Sequence, residues 1–158
     1  MGRYKIVGLL AAVASLALIA GTALATDPSG FTVTPLARGS LGELESDHNG
    51  IELESKRDAD VAFAKVVFAA GGSAGWHHHP GVVLVSVASG AVTHYDAQCH
   101  KQVYRAGEGF VEDDNKPGLV RNNTDHEAVV YAAFVVSSST PAEGLRIDDP
   151  QPKDCSKK

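Results

Sequence analysis

One continuous stretch decides the fold class of this chain: 71-GGSAGWHHHPGVVLVSVASGAVTHY-95. Its glycine-rich start breaks the preceding strand, and the β-branched run at 82–88 predicts a densely packed strand. The Ser89-Gly90 pair predicts a tight turn, after which residues 91–95 return as the second strand of a hairpin. The stretch therefore predicts antiparallel β structure with a histidine-rich segment at its entrance.

Strand signals continue on both sides of this hairpin. Residues 31–37 alternate around Pro35 and predict an edge strand, whereas 38–50 are rich in glycine, serine and acidic residues and predict a loop. No window after residue 25 has the periodicity of an amphipathic helix. The predicted fold class is all-β, a small antiparallel β-barrel or jelly roll with irregular N- and C-terminal segments. Further strands are predicted at 51–54, 61–70, 103–104, 110–111, 119–122 and 128–137.

The barrel interior is predicted from the bulkier apolar residues of these strands. A barrel of this size either holds one small ligand or is filled by its own side chains. The predicted interior comprises Val61, Phe63, Val67, Val83, Val85, Val87, Phe110, Val129, Tyr131 and Phe134.

The N-terminal segment is typical of an export signal. Arg3 and Lys5 precede the uncharged residues 6–25, which end in Ala-Leu-Ala. We expect cleavage near Ala25 and a secreted or periplasmic location. An uncleaved membrane anchor is the alternative, since twenty apolar residues span a bilayer. The predicted organisation is a signal peptide at 1–25 and one barrel domain at 26–158, with its core at about 31–137 and a tail at 138–158.

Charge and cysteine content narrow the function classes further. The chain has 14 Lys and Arg against 19 Asp and Glu, a net charge of −5. Nucleic acids and anionic membrane surfaces require clustered basic charge, so neither is expected as a partner, apart from membrane contact through the signal segment if it is uncleaved. Export to an oxidising compartment predicts a disulfide between Cys99 and Cys155, with two free thiols as the alternative.

The histidine cluster is the densest chemical feature. His77 and His79 are two residues apart, so on a strand both face the same side, while His78 faces the other. Two imidazoles on one inward face form the minimal ligand pair for a divalent transition metal such as Fe, Zn, Mn, Ni or Cu. The alternative is three polar residues at the entrance to a strand.

The spacing around this cluster resembles the cupin superfamily. The segment from Gly71 through His77 and His79 to Gly90 fits the pattern G-x5-H-x-H-x3,4-E-x6-G, and residues 107–122 are similar to G-x5-P-x-G-x2-H-x3-N. The resemblance covers about residues 31–136 and implies a barrel that binds a metal through two histidines, a glutamate and a distant histidine. Because cupins often pair through an edge strand, it also implies a homodimer.

Two of the implied ligands are missing. The glutamate position falls on Val83, and the distant histidine position falls near Gly118. We expect His94 and Asp113 as the foremost substitutes. The full set of candidates is His78, His94, Glu112, Asp113 and Asp114, whereas His48, His100 and His126 are expected in exposed loops.

Three further residues are candidates for lining a pocket at the barrel mouth. They are Trp76, Val83 and Tyr95, with Trp76 alternatively plugging the barrel end.

Three functions remain open at this stage. The first is a non-catalytic cupin-like protein that binds a small molecule, and a divalent metal through the histidine pair. The second is a metal-dependent enzyme of the oxygenase, isomerase or lyase type with a substituted third ligand. The third is a structural or interaction domain with a filled barrel. A third ligand near the histidine pair favours the second function, and a barrel without a cavity favours the third.

Overall fold

The structure is a computed structural model that describes residues 26–112 and 115–157. The predicted signal peptide at 1–25 lies outside the described residues. The strands are β1 (Ser29–Gly42), β2 (Glu45–His48), β3 (Ile51–Glu54), β4 (Ala59–Ser73), β5 (His77–His78), β6 (Val82–Ser89), β7 (Ala91–Tyr95), β8 (Lys101–Arg105), β9 (Gly109–Glu112), β10 (Leu119–Arg121), β11 (Ala128–Ser137) and β12 (Ile147–Asp148).

Eight of these strands form one antiparallel sheet that curls into a nearly closed barrel. Its order is β8-β7-β10-β4-β11-β6-β9, and β1 pairs with β4 outside this path. The long strand β4 pairs with β1 and β11 over most of its length and is a central strand of the sheet. Its residues are apolar on both parities, as is typical of a strand with both faces covered. The architecture confirms the predicted all-β fold class.

The barrel interior differs from the prediction on two strands. Val83, Val85, Val87 and Phe110 are buried as expected. On β4 and in the first half of β11 the prediction chose the wrong parity: Phe63 and Tyr131 are 45% and 46% exposed, and Val61, Val67 and Val129 are only partly buried. Phe134, further along β11, packs against the core as expected. The residues that face inward there are smaller on average, namely Ala62, Ala64, Val66, Phe68, Ala128, Val130 and Ala132. Small inward side chains leave space inside the barrel.

The predicted loop at 38–50 is wrong. Strand β1 continues to Gly42, and β2 and β3 form a separate exposed hairpin. Its two-residue turn is Asn49-Gly50, with positive φ values of 53° and 79°. Asn-Gly is a strong hairpin signal because both residues tolerate positive φ, so the sequence did carry this information.

The C-terminal tail is short in regular structure but well connected. It contains 3₁₀ turns at Ala142–Leu145 and Lys153–Lys157, and between them β12 pairs with β5. The Cys99–Cys155 disulfide is present and joins residues 56 positions apart. Among the described residues, no helical element has the length and hydropathy of a membrane-spanning helix.

Candidate metal centre

The histidine segment is held between two parts of the chain. Gly75 precedes the segment and has a φ of +73°, a conformation that favours glycine. A side chain at this position would also collide with the backbone oxygen of Thr26. On one side, His77 exchanges two backbone hydrogen bonds with Gly118, of 2.9 and 2.8 Å. On the other side, β5 pairs with β12 of the tail. The histidines therefore lie on supported backbone at the end of the barrel.

Backbone carbonyls fix the tautomers of both histidines. His77 Nδ1 lies 2.8 Å from the Gly75 carbonyl oxygen, and His79 Nδ1 lies 2.5 Å from that of Leu145. Because a carbonyl only accepts, each Nδ1 carries the hydrogen and donates. This leaves Nε2 as the metal-binding atom of each ring, in the arrangement in which metal-ligating histidines are oriented by a second hydrogen bond.

Glu112 completes a group of three converging side chains. One carboxylate oxygen lies 3.4 Å from His79 Nε2, and the donor atoms of His77, His79 and Glu112 all lie within 4.8 Å of one another. The two histidine rings meet edge to face, with their centroids 4.8 Å apart. The carboxylate and the free Nε2 lone pairs repel each other unless a cation lies between them, either a proton or a metal ion.

The electrostatics keep these groups in metal-binding states. Burial and, as the next largest cause, the positive charge of Arg146 lower the pKa of His77 to about 4. Burial alone would raise the pKa of Glu112, but the hydrogen bond with His79 and the nearby histidine charges outweigh it, so this pKa lies below its ordinary value. Near neutral pH, His77 is therefore a neutral donor and Glu112 an ionised one.

His94 approaches the same group from β7. Its Nε2 lies 3.7 Å from the other carboxylate oxygen of Glu112, and its ring packs against Phe110 with a centroid distance of 5.2 Å. The ring fills the space beside Gly118, since a Cβ on that glycine would lie 3.2 Å from His94 Nε2. Strand β7 thus places the His94 imidazole in the space that a side chain at residue 118 would otherwise occupy.

The other predicted site residues lie elsewhere or outside the described residues. His78 points away from the group and contacts Asp149, with Nδ1 2.7 Å from Oδ2. Asp113 and Asp114 lie outside the described residues. His100 and His126 are exposed, and so is His48, which lies on β2 rather than in a loop.

Of the predicted pocket residues, only Val83 lines the main cavity. Trp76 is buried and, together with Tyr95, borders a different groove beside the two cysteines. The prediction did not include Leu145, whose carbonyl orients His79. No sequence signal marks such a contact, because every residue has a carbonyl and only the fold decides which one is close.

Two cavities meet at the three converging side chains. The larger has a volume of about 550 Å³ and a mainly apolar lining, which includes Phe31, Val83, Val85, Ala132 and Phe134. The smaller, about 140 Å³, opens at the barrel mouth and is bordered by His94 and Pro117. His77, His79 and Glu112 border both. The barrel is therefore not filled by its own side chains.

Comparisons with solved structures find similar folds among proteins described as cupin domains. No model of a protein family matches the chain, and no curated protein matches its sequence. The cupin_2 domain of an XRE family transcriptional regulator from Enterobacter cloacae is 14% identical, with a TM-score of 0.47 over 68% of this chain and 96% of that one.

Two other solved structures are similar at the same level. A cupin 2 conserved barrel domain protein from Leptotrichia buccalis is 18% identical, with a TM-score of 0.49 over 66% of this chain and 40% of that one. An oxalate oxidase is 22% identical, with a TM-score of 0.48 over 79% of this chain and 62% of that one. The chain thus spans less than two thirds of either protein, and these likenesses concern the fold alone.

Proposed function

We propose that this protein is a metal-dependent barrel enzyme that acts on a small, mainly apolar molecule. One observation carries the proposal: two imidazole Nε2 atoms, both freed by Nδ1 hydrogen bonds to carbonyls, converge with the Glu112 carboxylate at the inner end of a cavity. Among the three functions that the sequence left open, a third ligand beside the histidine pair favours the enzyme.

The donor set fits a divalent transition metal. Metal–ligand distances of about 2.0–2.2 Å place neighbouring donors about 3–4 Å apart. The separations in this structure, 3.4 Å between His79 and Glu112 and up to 4.8 Å within the group, require only small side-chain adjustments. Two histidines and one carboxylate with open positions are typical of non-haem iron oxygenases, although Zn, Mn, Ni and Cu accept the same donors.

When bound, such a metal supplies a Lewis acid and open positions for a substrate oxygen or dioxygen. The protein supplies the rest. His77, His79 and Glu112 provide two neutral donors and one negative charge. Phe134 packs edge to face on His79, with a centroid distance of 5.4 Å, and fixes the ring on the cavity side. The apolar lining excludes water and orients a substrate body toward the donors.

His94 is the group best placed to move a proton near the site. Its Nε2 lies 3.7 Å from Glu112, and it borders the small cleft at the barrel mouth rather than the apolar cavity. We propose that it either joins the ligand set as a fourth donor or exchanges protons with a ligand that enters through the cleft.

Metal content and small-molecule turnover together test this function. Protein purified without a His tag should bind about one equivalent of Fe²⁺ or Co²⁺, and His77→Ala/His79→Ala should lose it. Oxygen consumption by the iron-loaded protein with a panel of aromatic and aliphatic acids, alcohols and ketones then tests the enzyme proposal. Metal binding without turnover of any panel member would favour a second candidate function over the enzyme.

That second candidate is non-catalytic binding of an apolar small molecule. The lining of the 550 Å³ cavity favours it, because an apolar ligand is held there by burial alone and needs no metal. Equal ligand affinity in metal-free protein and in His77→Ala/His79→Ala would support this function over the first.

Location and assembly complete the proposal. The signal-like N-terminal segment and the Cys99–Cys155 disulfide support export to an oxidising compartment, where disulfides persist. Detection of the mature N-terminus after residue 25 in secreted or periplasmic fractions tests this location. Homodimer formation through an edge strand stays a prediction, and light scattering on the purified protein tests it.

A further inference from the structure

We propose that the C-terminal segment from Ala142 to Cys155, here called the tail strap, positions the two histidine ligands, and that the Cys99–Cys155 disulfide holds the strap in place. The metal-affinity part of this inference rests on the proposed function. The part that concerns the orientation of the histidine rings does not, because it concerns the protein without metal.

The strap contacts His79 directly. The Leu145 carbonyl accepts the Nδ1 hydrogen of His79 at 2.5 Å, and it is the partner that the structure gives this nitrogen. Without this acceptor, the ring is free to place its hydrogen on either nitrogen and to rotate. With it, Nδ1 keeps its hydrogen and Nε2 faces Glu112, 3.4 Å away, where it either shares a proton with the carboxylate or donates its lone pair to a metal ion.

The strap also supports the backbone that carries the histidines. In the β12–β5 pairing, Ile147 lies opposite His78 and Asp148 opposite His77. The Asp149 amide donates to the Trp76 carbonyl at 2.9 Å. Strand β5 has only two residues, and its other edge is held by a single bridge to residue 118. The strap therefore pairs with one of the two edges of this segment.

Side chains of the strap add to this contact. Asp149 Oδ2 lies 2.7 Å from His78 Nδ1, with both side chains largely buried. Arg146 donates to the Ala74 carbonyl at 2.6 Å and lies over the Phe31 ring, 5.9 Å from its centroid. These contacts tie the strap to the chain immediately before and within the histidine segment.

The disulfide joins the end of the strap to the barrel. Cys155 lies after the pairing strand, and Cys99 lies in the connection that follows β7, five positions after His94. The strap is thus fastened at one end by β11 and at the other by the cross-link. With the cross-link removed, the pairing depends on the two-residue strand β12 and a few hydrogen bonds.

The test compares the oxidised protein with Cys99→Ser/Cys155→Ser, both full-length and metal-free at the start. Variants are preferable to a thiol reductant, which itself binds metals. Asp149→Asn serves as a second strap variant, with Asp154→Asn, an exposed carboxylate of the same segment, as its matched control. Circular dichroism and thermal melting establish that each barrel is folded.

The first readout is the tautomer of His79 in metal-free protein, measured by long-range ¹H–¹⁵N correlation above the pKa of free histidine. The oxidised protein should keep hydrogen on His79 Nδ1, whether or not Nε2 shares a proton with Glu112, and Cys99→Ser/Cys155→Ser should show a lower average occupancy of hydrogen on Nδ1. If the disulfide only stabilises the fold, its removal should lower the melting temperature and leave the hydrogen position on His79 unchanged.

The second readout is Co²⁺ affinity, followed by the visible absorption of the bound ion. We expect a loss of about tenfold or more in Cys99→Ser/Cys155→Ser, the usual effect of removing a group that orients a ligand, and a smaller loss in Asp149→Asn, with Asp154→Asn unchanged. A folded double variant with the native tautomer and an affinity within about twofold of the oxidised protein would overturn the inference. Should the oxidised protein bind no Co²⁺, the proposed function fails, and the tautomer alone decides on the strap.

Discussion

Val83 and Glu112 lie directly opposite each other on the paired strands β6 and β9. Val83 occupies the position where the motif spacing requires a glutamate, and Glu112 lies where the spacing requires none. Opposite residues in an antiparallel pair have Cβ atoms about 4.5–5.5 Å apart on the same face. A carboxylate on β9 therefore reaches the same space as one on β6, and the missing ligand is present on the neighbouring strand.

This relationship predicts that the carboxylate can be moved back. Glu112→Val should lower Co²⁺ affinity by more than about a hundredfold, since changes to groups that merely orient ligands already cost about 10–100-fold. Val83→Glu/Glu112→Val should return to within about tenfold of the native affinity, as measured by titration calorimetry.

Val83→Glu alone is the matched control for that exchange. It places two carboxylates in one site and should fold less stably than the double variant, because like charges repel in a partly buried site. A folded double variant that binds no better than Glu112→Val would contradict the equivalence of the two positions.

The neighbouring position at Gly118 follows the same logic with His94. Gly118→Ala places a Cβ 3.2 Å from His94 Nε2, so the ring must move. If His94 is a fourth donor, His94→Ala should lower metal affinity about tenfold, and Gly118→Ala should lower it by a smaller factor, since the ring needs to shift by only a few tenths of an ångström. His100→Ala, at an exposed histidine, should leave it unchanged. Native affinity in His94→Ala would restrict this residue to a role in proton exchange.

The next prediction tests whether an apolar molecule binds in the larger cavity independently of the metal. Leu36, on β1 and outside the tail strap, is exposed and borders the apolar cavity, so Leu36→Trp narrows its entrance without overpacking the core. Binding of a fluorescent apolar probe should fall about tenfold, which corresponds to about 1.4 kcal/mol or roughly 55 Å² of lost apolar burial at about 25 cal/mol per Å². Metal affinity should not change.

Ala97→Trp is the matched control for the cavity, because Ala97 borders the small cleft at the barrel mouth instead. It should leave probe binding as in the native protein. If both tryptophan variants bind the probe normally, the apolar molecule binds outside the barrel.

The network around Asp60 predicts a pH-dependent part of the stability. Hydrogen bonds from Ser138 and from Arg38 lower the pKa of Asp60 below its ordinary value. A carboxylate whose pKa is lowered by folding stabilises the protein above its unfolded pKa, and this contribution disappears as the pH falls through the folded pKa. Asp60→Asn should therefore melt at a lower temperature than the native protein at pH 7.

The two melting temperatures should converge as the pH falls through the folded pKa of Asp60, which lies below its ordinary value, because the native Asp60 is then also protonated. Asp47→Asn, an exposed carboxylate on the separate hairpin, is the control and should follow the native curve throughout. A constant difference between Asp60→Asn and the native protein at all pH values would show that the side-chain charge does not matter.

The fold class was predictable because strand periodicity and glycine-containing turns are local signals. The parity of β4 was not, because Val61, Phe63 and Val67 form an apolar face as convincing as the one that is buried. Preference for bulky residues inside gave the wrong face, and an interior that holds a cavity requires smaller ones.

The histidine pair was identifiable from its spacing, whereas its partners depend on pairing between distant strands. Glu112 was one of five candidate ligands, and nothing in the sequence ranks it above Asp113 or His94. Its role follows from the register of β6 and β9, which brings residue 112 opposite residue 83. The contact between the Leu145 carbonyl and His79 is harder still to predict, because every residue has a backbone carbonyl and the sequence does not distinguish this one.

The most direct test of the account is the metal stoichiometry of the untagged protein, measured by elemental analysis after incubation with Fe²⁺, Zn²⁺, Mn²⁺, Ni²⁺ or Cu²⁺ and removal of free ions. The account predicts about one ion per chain for at least one of these metals, retained in His100→Ala and lost in His77→Ala/His79→Ala and in Glu112→Val. No bound metal under any of these conditions, or full occupancy in the variants that lack the proposed ligands, would contradict it.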